Sequence, residues 1–264
     1  MNTKIVFFDI DGTLVSFRTH KIPESTKRAV HELRKKGVKV YIATGRPLAF
    51  IDNLDDLEYD GMVTTTGAHC VDGNGNTIHY QPIPHEDIER VVRHQQSHPD
   101  EAYPIFFVCG DGIYMSQSSD EVREVVQLLN LEMPDVLPIE QVLGRDVLQV
   151  ISFFTKADEP RIMSEFMPNC TSTRWHPYFA DIIAKGESKS TGIDCVLRHE
   201  GIDLSESMAF GDGGNDVDML RHVACGVAMG NACDEVKAVA DYTTDSVDED
   251  GVLKALQHFG LVCS

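Results

Sequence analysis

Long apolar runs are missing from this 264-residue chain. None approaches the roughly 20 residues needed to span a bilayer, and the apolar stretch near the start is too short for a secretory signal. A cytoplasmic protein with no membrane partner is therefore expected. Basic residues are also scarce, 23 Lys and Arg against 42 Asp and Glu for a net charge of −19, so a phosphate backbone would be repelled over most of the surface and nucleic acid is not an expected partner. Seven cysteines occur without any C-x-x-C pair, which excludes a zinc knuckle or disulfide framework and fits buried thiols, Cys225 and Cys233 among them. Neither G-x-G-x-x-G nor G-x-x-x-x-G-K-[ST] is present, so dinucleotide and P-loop readings lapse. What is there is a hydrophobic content of 42% with 25% charged residues, enough for one large domain or a domain carrying an insert.

Residues 4–8 form a β-branched and aromatic run, apolar on both faces as a buried parallel strand should be. Pro23 opens a pattern with Ala29, Val30 and Leu33 on one face that ends at Lys35, Lys36 and Gly37, the signature of a helix. Residues 38–43 give a second strand, and Pro47 is placed to start the next helix. A third strand covers residues 61–66, and a hairpin turns at residues 72–76. Strand, helix, strand in this order is the grammar of a parallel sheet. From residue 82 onward hairpins mix with helices: helices over 85–96, 121–131 and 159–166, a hairpin about residues 110–112, a strand over 147–154 and an extended stretch over 172–183. The spacing of Val122, Val125, Val126 and Leu129 supports the second of these helices. Beyond Lys185 the first grammar returns, with helices over 190–199, 216–223 and 234–240 and strands over 207–210 and 226–229. The expected fold class is α/β: a Rossmann-like parallel-sheet core of residues 1–82 and 185–264, with an inserted α+β domain of residues 83–184.

Ligands of an open parallel sheet gather at the carboxyl ends of its strands. Here the strands stop at Asp9 and Asp11, at Thr44, and at the run from Gly211 to Asp216. Four carboxylates converging on one edge repel by about 4 kcal/mol per close pair at an effective dielectric of 20, so a positive partner is required. An all-oxygen donor set favours a hard cation, and so few carboxylates suit Mg²⁺, which keeps waters and shares phosphate oxygens. With a phosphate dianion added, near-neutrality requires Mg²⁺, Lys189, Arg46 and one protonated aspartate, which predicts a raised pKa in the site. The backbone N–H groups of the Gly-rich turns are candidates for an anion nest. Two aspartates spaced i, i+2 leave a strand on the same side. One carboxylate can then attack phosphorus while the other protonates the leaving oxygen and later deprotonates water.

Asp9-Ile10-Asp11-Gly12-Thr13, Ala43-Thr44-Gly45-Arg46, Lys185-Gly186-Glu187-Ser188-Lys189 and Gly211-Asp212-Gly213-Gly214-Asn215-Asp216 resemble the four ordered motifs of the haloacid dehalogenase superfamily. The insert between the second and third motifs is similar to the cap of its Cof-type branch. The resemblance covers essentially the whole chain. It implies Asp9 as nucleophile and Asp11 as general acid/base, with Mg²⁺ on the Asp9 carboxylate, the Asp11 main-chain carbonyl and Asp212, and Asp216 orienting the metal's waters. It further implies Thr44, Gly45, Lys189 and Asn215 around the transferring phosphoryl group, with Arg46 as a further phosphate candidate. One departure stands out: the branch usually has Asn-Gly-Ala after the third strand, where this chain has Thr66-Gly67-Ala68.

The expected activity is Mg²⁺-dependent hydrolysis of small phosphorylated metabolites, foremost sugar phosphates, through an aspartyl-phosphate, with the cap closing over the leaving group. A phosphomutase or a non-catalytic phosphometabolite-binding regulator are the alternatives. Residues 174–181 are the densest aromatic and charged stretch of the insert. His176, Tyr178 and Asp181 are the leaving-group candidates there, while Trp175 and Phe179 are expected to fill the insert's core. Thr44 also suits an N-cap before Pro47, a role compatible with anion binding. His94 and His98 stand i, i+4 and could chelate a metal, but the C-terminal end of a helix, exposed, is where such a pair is expected.

Overall fold

The computed structural model describes residues 2–128 and 131–263, apart from the side chain of Trp175. In chain order the elements begin with β1 (Ile5–Phe8), α1 (Glu24–Lys35), β2 (Lys39–Ala43), β3 (Gly61–Thr64), β4 (His69–Asp72) and β5 (Thr77–Tyr80). There follow α2 (His85–Ser97), β6 (Ile105–Cys109), β7 (Gly112–Met115), α3 (Asp120–Leu128), β8 (Asp135–Val136), β9 (Val147–Ser152), α4 (Glu159–Glu165), β10 (Cys170–His176) and β11 (Phe179–Ala184). The chain closes with α5 (Lys189–Glu200), β12 (Ser207–Gly211), α6 (Val217–His222), β13 (Cys225–Ala228), α7 (Asp234–Lys237), β14 (Tyr242–Thr243) and α8 (Gly251–His258). Two compact units result, one of Met1–His79 with Ser188–Ser264, the other of Tyr80–Glu187.

The first unit is an α/β fold built on an eight-stranded sheet in the order β14-β13-β12-β1-β2-β3-β4-β5. From β14 through β3 every neighbouring pair is parallel, and only then does β4 run antiparallel to β3. Side chains alternate between faces along a strand, and β1 divides accordingly. Val6 and Phe8 pack into a core shared with α1 and α8, whereas Ile5 and Phe7 pack on the other face with Ile193, Val196, Met219 and Val236. Burial of both faces is why residues 5–8 are apolar without alternation.

The second unit is a six-stranded sheet in the order β10-β11-β9-β6-β7-β8. Its central pairs are antiparallel, and β8 joins β7 in parallel. One face carries Ile105, Phe107, Val150, Ala180 and Ile182 against Ile88, Val91 and Val92 of α2 and Ile162 of α4. On the other, Phe106, Phe153 and Phe179 meet Val122, Val125 and Val126 of α3. Phe179 thus fills a core as expected; Leu129 and the Trp175 side chain lie outside the described residues.

Several local expectations are corrected. Pro47 starts no α-helix, only a 3₁₀ turn over Leu48–Phe50. The third strand stops at Thr64, because Thr65 and Thr66 both turn to φ of 53° and leave the β region. Residues 214–216 form a 3₁₀ turn before α6, and α7 ends at Lys237. Cys233 is exposed, unlike buried Cys225. His94 is buried, not exposed, with its ring stacked on Phe166 at 4.2 Å, centroid to centroid, and 4.9 Å from that of His98; the rings cover it, while its Nε2 has no hydrogen-bond partner among the described residues. No helix among the described residues is long and apolar enough to cross a membrane.

Candidate active site

Register places the first candidates. Phe8 of β1 lies level with Phe210 of β12 and Ile42 of β2, so Asp9, Thr44 and Asp212 all follow the ends of neighbouring strands. The Asp9 N–H donates to the Phe210 carbonyl at 3.0 Å, and the Thr44 N–H to the Val63 carbonyl at 2.8 Å. These bonds carry the sheet's order one residue beyond the strands.

Lys189 reaches the same edge from the first position of α5. Ser188 caps that helix in a reciprocal box with Thr191, satisfying N–H groups a helix start otherwise leaves open. The turn after β3 presses against it: Gly67 has φ of +100°, and a Cβ there would lie 2.0 Å from the Ser188 carbonyl oxygen, so only glycine allows the approach. The fully buried Lys189 Nζ donates to Asp9 Oδ1 at 2.6 Å and Asp216 Oδ1 at 2.5 Å. Burial works against the ammonium, but Asp216 and Asp9 outweigh it and hold its pKa above the usual value. Asp9 is raised well above the carboxylate range, by burial first, with Lys189 opposing and Asp216, Asp212 and Asp11 adding repulsion. Asp212 is pushed up to about 7, again by burial and then by Asp216.

Asp9, Asp212 and Asp216 each offer a carboxylate oxygen within 4.8 Å of the others. An all-oxygen set in which Asp9 and Asp212 are strained toward protonation suits a hard divalent cation. Asp216 is committed elsewhere: its Oδ1 takes Lys189, and its Oδ2 accepts the Asp212 and Gly213 N–H groups, both at 2.9 Å. These two amides therefore serve Asp216 and are not open to an anion, a correction to the nest expected of the Gly-rich turn. Thr13, absent from the predicted site residues, donates its hydroxyl to Asp212 Oδ1 at 2.8 Å.

Asp11 leaves this cluster. Its carboxylate is held bidentately by Arg46, Nε to Oδ2 at 2.6 Å and Nη2 to Oδ1 at 2.7 Å, and Arg46 Nη1 also donates to the Phe50 carbonyl at 3.1 Å. Arg46, expected at phosphate, thus stands on Asp11. Thr44 Oγ1 accepts the Arg46 N–H at 3.0 Å, closing a local turn in place of the expected helix cap. Gly45 lies beside Asn215 and Thr66; a Cβ on it would be 3.4 Å from Asn215 Nδ2 and 3.5 Å from Thr66 Oγ1. β-Branched residues in the left-handed region are outliers, costing on the order of 1–3 kcal/mol each. Thr65 and Thr66 are pinned there by N–H bonds to the Arg46 and Thr44 carbonyls, at 3.0 and 3.1 Å. The sequence signalled position 66 only as a departure from the family pattern.

In the second unit, the ring of His176 stacks on Phe179 at 5.6 Å and meets Tyr178 edge-on at 5.1 Å. Tyr178 lies in the β10–β11 turn and lines a cavity of about 790 Å³ with Tyr103, Phe153, Phe154, Lys156 and Arg161. Asp181 is buried in β11, level with Ile151 of β9. Gln149, two residues before Ile151 and so on the same face, is 1% exposed with no partner for its Oε1. It was not singled out from sequence, where a lone glutamine in an apolar strand carries no motif.

A family model described as haloacid dehalogenase-like hydrolase matches residues 6–256. The solved structure of BT4131, described as a sugar phosphatase of HAD subclass IIB, superposes with a TM-score of 0.91 at 43% identity, over 98% of this chain and 100% of its own. A Bacillus subtilis (strain 168) protein named "Putative phosphatase YkrA" is 33% identical over 99% of this chain and 100% of its own length. YitU of the same organism, named a 5-amino-6-(5-phospho-D-ribitylamino)uracil phosphatase, is 29% identical over 98% and 99%.

Proposed function

Because the chain belongs to the haloacid dehalogenase-like hydrolases, we propose that it hydrolyses small phosphate monoesters, foremost sugar phosphates, through an aspartyl-phosphate on Asp9. The observation that carries this reading is the buried Lys189 ammonium bridging Asp9 and Asp216 beside the Asp212 carboxylate. A cation so placed holds the nucleophile's Oδ1 while the other oxygen faces the reacting phosphorus, and its remaining N–H is left for a phosphoryl oxygen. In the first step an Asp9 oxygen bonds phosphorus, the ester P–O bond breaks, and Asp11 gives a proton to the departing alkoxide. In the second, Asp11 takes a proton from water as its oxygen bonds phosphorus, and the Asp9–phosphorus bond breaks to release inorganic phosphate. Arg46 positions Asp11 through its two N–H bonds; Thr44, Gly45 and Asn215 are the remaining phosphoryl-binding candidates. Asp9, the Asp11 carbonyl and Asp212 would hold Mg²⁺, with Asp216 behind them; when bound, the ion neutralises phosphate charge.

Residues 83–184 are read as the cap that recognises the leaving group. The acceptors Asp181 and Gln149 on one face, with His176 and Tyr178 near the adjoining turn, suit a hydroxyl-rich group, and the name of the 43%-identical sugar phosphatase supports the same class. The test is Asp9→Asn. Hydrolysis of p-nitrophenyl phosphate should vanish while circular dichroism stays native, and EDTA should silence the wild type until Mg²⁺ is restored. Retained turnover in that variant would rule out the covalent route. Free sugar plus inorganic phosphate, not an isomeric sugar phosphate, should be the products of a hexose monophosphate.

A further inference from the structure

Asn231 follows β13, in a segment that no sequence motif marked, and its side chain ties together three loops of the first unit. Its Nδ2 donates to the Gly12 carbonyl at 2.9 Å and to Asp212 Oδ2 at 3.2 Å, and its Oδ1 accepts the Val247 N–H at 3.0 Å. The orientation of the amide is settled by these partners, since Val247 N–H must face an oxygen and the Gly12 carbonyl must face the NH₂ group. Each Nδ2 hydrogen therefore has one acceptor. Asp212 is consequently gripped from both sides, Oδ1 by the Thr13 hydroxyl and Oδ2 by Asn231.

Gly12 explains why that grip matters. It has φ of +87°, and a Cβ there would lie 2.2 Å from Asp212 Oδ2, so the carboxylate packs directly on the backbone just after Asp11. The carbonyl that Asn231 holds belongs to the residue following Asp11, so the amide fixes the loop carrying one candidate metal donor relative to the carboxylate that is another. A hydrogen bond to a carboxylate oxygen leaves further lone-pair directions for an ion and removes the carboxylate's freedom to swing. A second strut exists nearby: Asp248 accepts from the Ser16 hydroxyl at 2.8 Å and from Arg18 Nη2 at 3.1 Å. That strut braces the same loop without touching Asp212.

We infer that Asn231 is a positioning residue for the divalent cation, setting the Asp212 carboxylate and the Gly12 segment in register by donating one amide hydrogen to each. The inference rests on the proposed metal-dependent phosphatase reading. Its test is direct Mg²⁺ binding by calorimetry, without substrate, on the full chain. Asn231 is itself exposed, so Asn231→Ala opens no buried cavity. It should raise the Mg²⁺ dissociation constant about 10–100-fold. Ser16→Ala, which removes the second strut and the Ser16 Oγ bonds from the Arg18 and Thr19 N–H groups but leaves the bonds to Asp212 in place, should leave the dissociation constant within about twofold, far short of the 10–100-fold expected for a lost orienting partner. Unchanged Mg²⁺ affinity in Asn231→Ala overturns the inference, and so does an equal loss in Ser16→Ala, which would mean loop bracing alone is at work. Should the wild type bind no Mg²⁺, or Asp212→Asn bind it as tightly as the wild type, the metal-site reading fails instead.

Discussion

The acids at the strand ends of the first unit and the buried glutamine on the second unit's sheet are held in opposite ways. At the strand ends of the first unit every candidate acid has an identified partner: Asp9 and Asp216 have Lys189, Asp212 has Thr13 and Asn231, and Asp11 has Arg46. On the sheet face of the second unit, Gln149 is buried with its carbonyl oxygen unmatched. Buried polar atoms are ordinarily satisfied, so under the proposed function the contrast separates a preorganised acid cluster from one buried amide oxygen with bonding capacity left for a ligand. The first arrangement fits chemistry shared by many substrates, the second the choice of one.

The sharpest way to break this contrast is Lys189→Met. Removing one partner of a buried ion network strands the rest, and the free energy of unfolding in urea should fall by about 3–5 kcal/mol, with hydrolysis lost. A fall below about 1 kcal/mol, the level of an exposed pair, would show that the cluster is more hydrated than its burial indicates. Gln149→Leu should act on the other side of the comparison. It should lower kcat/KM for a hexose phosphate about tenfold, about 1.4 kcal/mol, while leaving p-nitrophenyl phosphate nearly untouched; equal losses on both substrates would erase the division of labour.

The pH dependence of the metal-free protein tests the burial and mutual repulsion of these acids. Folding raises the Asp212 pKa from 3.8 to about 7, so between these values the folded state binds a proton that the unfolded state does not. By linkage, stability falls as pH rises through that window. Melting in EDTA should therefore drop from pH 5 to pH 7.5 in wild type, less so in Asp212→Asn. A matching slope in the variant would assign the effect elsewhere. The smallest expected change is Thr66→Gly, which relieves a left-handed β-branched residue. It should raise stability by up to about 1 kcal/mol while raising KM, since the Thr66 hydroxyl near Gly45 is lost. A gain in stability with KM unchanged would make the strain incidental to substrate binding.

Much of the core was legible because its signals are local. Residues 5–8 and 208–210 are apolar on both faces, and each run is followed by an abrupt acidic turn, so strand identity and site edge follow from the same few residues. Helix α8 and the two-residue β14 were not foreseen; their stability comes from packing on β13 and α1, and short segments carry little periodicity of their own. Pro47 misled because a proline permits a helix start without requiring one, and the Arg46 side chain, bonded to both Asp11 and the Phe50 carbonyl, draws residues 46–50 into a tighter turn. Asn231 and Gln149 were invisible for a different reason: an amide has no motif until its partners are known.

By itself the sequence determined most of the longer strands and helices, that acids and a lysine would meet at strand ends, and that a positive ion would be needed among them. Those conclusions rest on periodicity, chain order and charge counting, all of which are properties of the covalent chain. Only the tertiary structure decided which acid each cation serves. Hydrogen bonds are directional and reach about 3 Å, so Arg46 could be assigned to Asp11, Lys189 to Asp9 and Asp216, and Asn231 to Asp212 only once residues up to 180 positions apart stood face to face.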